Sequence, residues 1–208
     1  MDAKEPVGII TGGASGIGAA SAVEFARLGG RLVLATLPTP TAEIIVARVR
    51  DAGGEALVAL VDVREPAQVA TLPELALRHF GRIDFLLVCA GIAEQSRISE
   101  GDPAVWRNVI ETNLLGALYC VRYVLPQMRA QRFGHIILMA SLSGREPYVG
   151  EPAYIASKWG LIGFGHSLRK EVNADGIRVT IVEPGIVDTP LTRDNPVVRP
   201  LLDAAAPL

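Results

Sequence analysis

Two cysteines in 208 residues, Cys89 and Cys120, are too few for a disulfide framework. Each lies inside an apolar stretch. No Cys-x-x-Cys pair or paired-histidine spacing accompanies them, so no metal site is expected. Buried, reduced thiols are the expected state, which agrees with a cytoplasmic location. Charge of one sign is lacking too: 20 Lys and Arg face 22 Asp and Glu, for a formal net charge of -2. The basic residues are scattered rather than gathered into a stripe, which argues against nucleic acid as a partner. No apolar run is long enough to span a bilayer, so no membrane partner is expected. Met1 to Glu5 carries Asp2, Lys4 and Glu5 directly before an apolar strand and leaves no room for the hydrophobic region of a secretory signal. Repeats, linkers and low-complexity blocks are also missing. With half its residues apolar, the chain reads as one soluble domain over residues 1–208, large enough to bury a full sheet between two helix layers.

What is present is alternation. Short apolar runs at 7–10, 31–35, 56–60, 85–90, 135–140 and 178–182 read as strands, most of them continuously apolar rather than alternating. Strands covered by helices on both faces have that pattern, so the expected fold is α/β: a Rossmann-like, doubly wound parallel sheet of six strands in a three-layer α/β/α arrangement. Segments 16–28, 41–52, 66–80, 103–132 and 152–173 carry helical periodicity. Asp102-Pro103 supplies a helix start, and Gly29-Gly30 and Gly53-Gly54 supply stops. Pro73 and Pro126 fall inside helical stretches and are expected to kink or split them.

The turn Thr-Gly-Gly-Ala-Ser-Gly-Ile-Gly, from Thr11 to Gly18, joins the first strand to the first helix, the setting in which a glycine motif carries meaning. Gly12, Gly16 and Gly18, with Ser15 and Ile17 between them, allow a tight backbone approach to a pyrophosphate at the positive end of a helix. The bland alternative is a glycine-rich turn without a ligand. About 20 positions on, an acidic residue would grip an adenosine ribose and an arginine would take a 2'-phosphate. The second strand ends instead in Ala35-Thr36-Leu37, and Thr36 leaves NAD or NADP open. Asp62, followed by Val63 after the third strand, could face the adenine or simply cap a helix.

Tyr154 and Lys158 stand four apart, which on a helix puts phenol and ammonium on one face. A fixed cation close to a phenol favours the phenolate, which would bring a basic oxygen toward neutral pH. Ser141, thirteen positions upstream of Tyr154, is a candidate donor to a substrate oxygen. Each residue has a structural rival: a packing tyrosine, a solvated lysine, a serine ending its strand. His79, His135 and His166 have no such company and read as packing or surface residues.

The glycine turn, Ser141, Tyr154 and Lys158 in this order resemble the short-chain dehydrogenase/reductase family, in the branch marked by Thr-Gly-x-x-x-Gly-x-Gly. Asn113 in Thr-Asn-Leu-Leu-Gly, Pro184-Gly185 and Thr189 match further motifs of that family, and the resemblance covers about residues 6–192. It implies an NAD(P)-dependent oxidoreductase that interconverts an alcohol and a ketone or aldehyde. Tyr154 would be the general acid/base and Lys158 would lower its pKa and bind the nicotinamide ribose. Ser141 would orient the substrate, and Asn113 resembles the residue that holds a relay water. Ala90 and Gly91 would adjoin the cofactor, and Pro184, Gly185 and Thr189 would line its nicotinamide side. The family also implies a homodimer or homotetramer packed through helices at 103–132 and 152–173. Ile92, Ser143, Tyr148, Glu151 and Ile186 are candidates to contact a small-molecule substrate.

Two departures stand out. Cys89-Ala90-Gly91 replaces the family's usual Asn-Ala-Gly, and a thiol is a weak donor with which to tie neighbouring loops. After Gly185 the chain holds Pro190, Pro196, Pro200 and Pro207 and no strand-like run, so the usual seventh strand is expected to be missing and the sixth to form an open edge. A catalytically impaired dinucleotide-binding protein, acting as a sensor or interaction module, is therefore the alternative. A nucleotide-sugar epimerase shares the Tyr-x-x-x-Lys pair but has a different glycine spacing and a longer chain.

Overall fold

In the computed structural model, residues 5–193, 195 and 198–205 are described, with residues 201 and 205 as backbone only. Residues 1–4, Pro196 and Pro207 lie outside them. The strands β1 (Val7–Thr11), β2 (Arg31–Thr36), β3 (Glu55–Leu60), β4 (Phe85–Val88), β5 (Gly134–Met139) and β6 (Ile177–Val182) form one parallel sheet in the order β3-β2-β1-β4-β5-β6. Every residue of β1 and β4 is buried, as their unbroken apolar sequences require. The chain starts in the middle of the sheet, winds out to β3, then returns past β1 to β4. That reversal opens a crevice at the carboxyl ends of β1 and β4.

Helices α1 (Gly16–Ala26) and α2 (Thr41–Asp51) cover one face. There Ala22, Ala26, Ile45 and Val49 pack on Ile10, Leu32, Leu34 and Leu87. On the other face lie α3 (Pro66–Val69), α4 (Thr71–Phe80), α6 (Gly116–Gln131) and α7 (Pro152–Val172). Their Leu72, Ala76, Val121, Val124, Leu161 and Val172 bury Ile9, Val33, Leu86, Ile136 and Val179. The two-sided cover expected of most strands fails at β6, the strand expected to form an open edge. Its residues alternate, with Ile177 and Val179 buried and Arg178, Thr180 and Val182 exposed, because α7 packs on one face only.

Neither proline splits its helix where it stands. The 66–80 segment does divide, but at Ala70, and Pro73 sits in the first turn of α4, where no intrahelical hydrogen bond is lost. Pro126 stays inside an unbroken α6. The 103–132 segment instead breaks upstream, into α5 (Pro103–Ile110), a π-helical turn at Glu111–Leu115 and α6. Such turns concentrate at functional positions, and this one holds Asn113. Beyond β6 come two short helices, α8 (Pro190–Arg193) and α9 (Arg199–Ala205); no seventh strand occurs among the described residues.

Candidate active site

The site is built where β1, β4, β5 and β6 end. At the first turn Gly12 has φ +67, and a Cβ there would come within 3.0 Å of the Ala90 backbone. A Cβ on Gly18 would lie 2.3 Å from the Gly12 carbonyl oxygen. Both positions therefore need glycine for the turn to fold back against the loop after β4. Gly12, Ser15, Gly16 and Ile17 form one wall of a cleft whose other walls are Ala90, Gly91, Ser141, Tyr154, Lys158, Pro184, Gly185 and Thr189. The structure thus brings most of the expected residues together. A larger cleft of about 620 Å³ runs along the outer side of α1, but its Glu24, Arg27 and Asp188 are engaged in surface ion pairs.

The loop that carries the cysteine departure is held through its backbone. The N–H groups of Cys89 and Ala90 donate to Thr11 Oγ1 at 3.1 and 3.2 Å, which ties the β4 loop to β1. Asn113 Oδ1 accepts from Ile92 N–H, and its Nδ2 donates to the Ile92 carbonyl, both at 2.8 Å. Nδ2 also donates to Ser157 Oγ at 3.1 Å. Both Asn113 amide protons are thereby used in holding the loop and α7. Burial pushes the Cys89 thiol up to about 11, although the Lys158 charge pulls it the other way.

Tyr154 and Lys158 lie in the first two turns of α7. The ammonium sits 5.4 Å from the centre of the Tyr154 ring and donates to the Met139 carbonyl at 2.9 Å. Burial brings it down to about 8. Tyr154 departs from expectation. Its phenol lies above the ordinary value, first because it is buried and further because Glu151 is near; a hydrogen bond with Ser141 acts in the opposite sense. The lowering expected from Lys158 is not seen: its ammonium lies over the ring and donates to the Met139 carbonyl. Ser141 Oγ accepts from Ser143 N–H at 3.1 Å.

The adenosine end is plainer. Thr36 donates to the neighbouring Leu37 carbonyl. Asp62 does not cap α3, whose N-cap is Glu65. Its carboxylate accepts from Arg64 N–H and pairs with the Arg64 guanidinium, which holds it below the usual carboxylate range. Val63 is buried and packs against Gly116, so it spaces the β3 loop from α6. Of the substrate candidates, Ser143 is buried, Tyr148 and Ile186 are exposed, and Glu151 is the N-cap of α7, its carboxyl raised chiefly by burial. Sequence reasoning missed Thr11, Ser157 and the buried carboxylate of Glu94. A threonine opening the glycine turn was a usable sign; a single Glu in a loop was none. No helix among the described residues is long and apolar enough to cross a membrane.

Comparison with known proteins agrees with this geometry. Residues 6–197 match the short chain dehydrogenase family. An uncharacterized oxidoreductase of Staphylococcus saprophyticus is 38% identical over 197 residues, covering 94% of this chain and 84% of that one. A cis-4-hydroxycyclohexanecarboxylate dehydrogenase of Sinomonas cyclohexanicum is 37% identical over 206 residues, 98% of this chain and 82% of its own. The crystal structure of an NAD+-bound xylitol dehydrogenase superposes with a TM-score of 0.86 at 28% identity, over 89% of this chain and 72% of that one. The chain belongs to the short chain dehydrogenase family of oxidoreductases.

Proposed function

We propose that the chain interconverts a secondary alcohol and its ketone, with NAD or NADP as the hydride partner and Tyr154 as the general acid/base. The reading rests on one observation: a half-buried phenol with a buried ammonium against its ring borders the same cleft as Ser141 and the glycine turn. Gly12, Ser15, Gly16, Ile17 and Gly18 would hold the pyrophosphate, the turn folding back tightly enough that Gly12 and Gly18 leave no room for a side chain. Thr36 would lie at the adenosine ribose, and Asp62 and Val63 at the adenine. Ala90, Gly91, Pro184, Gly185 and Thr189 would border the nicotinamide half, with Lys158 on its ribose. A nicotinamide held by these residues would supply or take up a hydride at the carbon bearing the substrate oxygen.

The chain's own groups handle the proton. Ser141 donates to the substrate oxygen and steadies charge growing on it. Tyr154 transfers the proton between its phenol oxygen and that same oxygen. Held above its ordinary value, the phenol keeps its proton at neutral pH and is set to donate, as ketone reduction requires. Asn113 serves by fixing Ile92 and Ser157, with only an oxygen lone pair left for a relay water. The alcohols in two relatives' names, the secondary alcohol cis-4-hydroxycyclohexanecarboxylate and the polyol xylitol, support an alcohol as substrate. Pairing into a dimer or tetramer through α5 and α7 is supported by Val105 and Trp159, which stand exposed there. The test is absorbance of reduced nicotinamide with a panel of cyclic and acyclic secondary alcohols and their ketones. Cofactor binding without turnover across that panel would instead support a non-catalytic dinucleotide-binding protein.

A further inference from the structure

We infer that Glu94 is a positioning residue for Tyr154: from the loop after β4, its buried carboxylate grips the first turn of α7 and sets where the phenol stands. This rests on the reading of Tyr154 as the acid/base group. Helix α7 begins with Pro152, which has no N–H, and its N-cap Glu151 makes no side-chain capping bond. The next two donors, Ala153 and Tyr154, both turn to Glu94. Ala153 N–H donates to Oε1 at 2.6 Å, and Tyr154 N–H is shared between Oε2 at 3.0 Å and Oε1 at 3.3 Å. A residue some 60 positions away thus does the work of a helix cap. Glu94 is only 5% exposed, and among the described residues no Lys or Arg pairs with it. The positive end of α7 is what offsets its charge.

The other side of the Tyr154 peptide is held as well. Ser157 Oγ donates to the Tyr154 carbonyl at 2.7 Å and accepts from Asn113, which in turn fixes Ile92. Ser96 N–H bonds the Gly150 carbonyl at 2.8 Å, closing the same loop onto the approach to α7. Both grips on Tyr154 therefore end on the β4 loop that also borders the cofactor cleft. Lys158 is anchored separately, on β5 through Met139. Loosening the first turn would shift the phenol relative to Ser141 and leave the ammonium in place.

The test compares E94A and E94Q with D102A and Y154F in the full chain. Asp102 is the control cap, since its side chain accepts from Ala104 N–H at the start of α5, away from Tyr154. Measured are NAD-linked oxidation of cyclohexanol and xylitol, NAD dissociation constants, and amide hydrogen exchange without ligand. E94A should lower kcat roughly 10- to 100-fold, the scale of a small misplacement of a reacting group. Its Kd for NAD should change less than about two-fold, because Lys158 and the glycine turn keep their supports. E94Q, which keeps one acceptor, should fall between E94A and the parent, and D102A should keep the parent kcat. A parental kcat in E94A while Y154F is inactive overturns the proposal, as does a D102A loss equal to that of E94A. Full activity in Y154F instead removes the acid/base reading itself. If neither alcohol is turned over, exchange decides: a Tyr154 amide as protected in E94A as in the parent overturns the proposal, and lost protection confined to the first turn of α7 upholds it.

Discussion

The Lys158 ammonium stands against the face of the Tyr154 ring, 5.4 Å from its centre, while it donates a hydrogen bond to the Met139 carbonyl. The i, i+4 spacing delivers the two groups to one side of α7, as helix geometry demands. It does not decide the phenol's protonation. Burial acts on both partners, disfavouring the charged form of each, so the phenol rises and the ammonium falls.

Tyr154→Phe should lower kcat by roughly 100-fold or more, the usual size of a general acid/base contribution. The ring keeps its place, so NAD binding should be unchanged by titration. An undiminished rate would take Tyr154 out of the mechanism.

Lys158→Met should make the protein more stable near pH 7. The native ammonium titrates near 8 against 10.5 ordinarily, so between these values the unfolded chain binds more protons and stability rises with pH. Below about pH 8 the penalty is fully present, on the order of 3 kcal/mol at 1.36 kcal/mol per unit. Denaturant unfolding from pH 7 to 9 should show the variant's advantage shrinking; above that range the buried thiols titrate with the opposite sign. A constant difference would mean that Lys158 is not buried as an ammonium.

Thr11→Val keeps the shape of the side chain but leaves the Cys89 and Ala90 N–H groups without their acceptor. Stability should fall by about 1 to 3 kcal/mol, the cost of unsatisfied buried donors. Dinucleotide affinity should fall with it, because Ala90 also closes on Gly12. Equal affinity in parallel titrations would show that the β4 loop does not depend on this anchor.

Cys89, raised to about 11 by burial, stays protonated through neutral pH and is a poor nucleophile there. Iodoacetamide at pH 7.5 should leave it unmodified in the native protein and alkylate it fully after unfolding. Mass spectrometry of the digested protein checks this, and rapid native labelling would show that the thiol is open to solvent.

Much of the fold was legible because each segment carries a local instruction. The apolar runs of β1 and β4 have no polar side to show, and Gly29 and Gly53 mark helix ends through left-handed backbone. The 103–132 segment was less legible, since its π-helical turn reflects what Asn113 must reach, on the β4 loop and α7, rather than any proline in the helix. Glu94 could not be found at all. In the sequence it is one acidic loop residue, and only the approach of α7 gives its carboxylate two donors.

The sequence by itself determined the six-strand alternation, the glycine turn and the helical pairing of Tyr154 with Lys158, because steric and periodic rules act between residues near in the chain. Tertiary structure alone decided the charge states and supports of those groups. Desolvation, and hydrogen bonds spanning dozens of positions, depend on what is packed around an atom, and that is settled only when β1, β4, β5 and α7 come together.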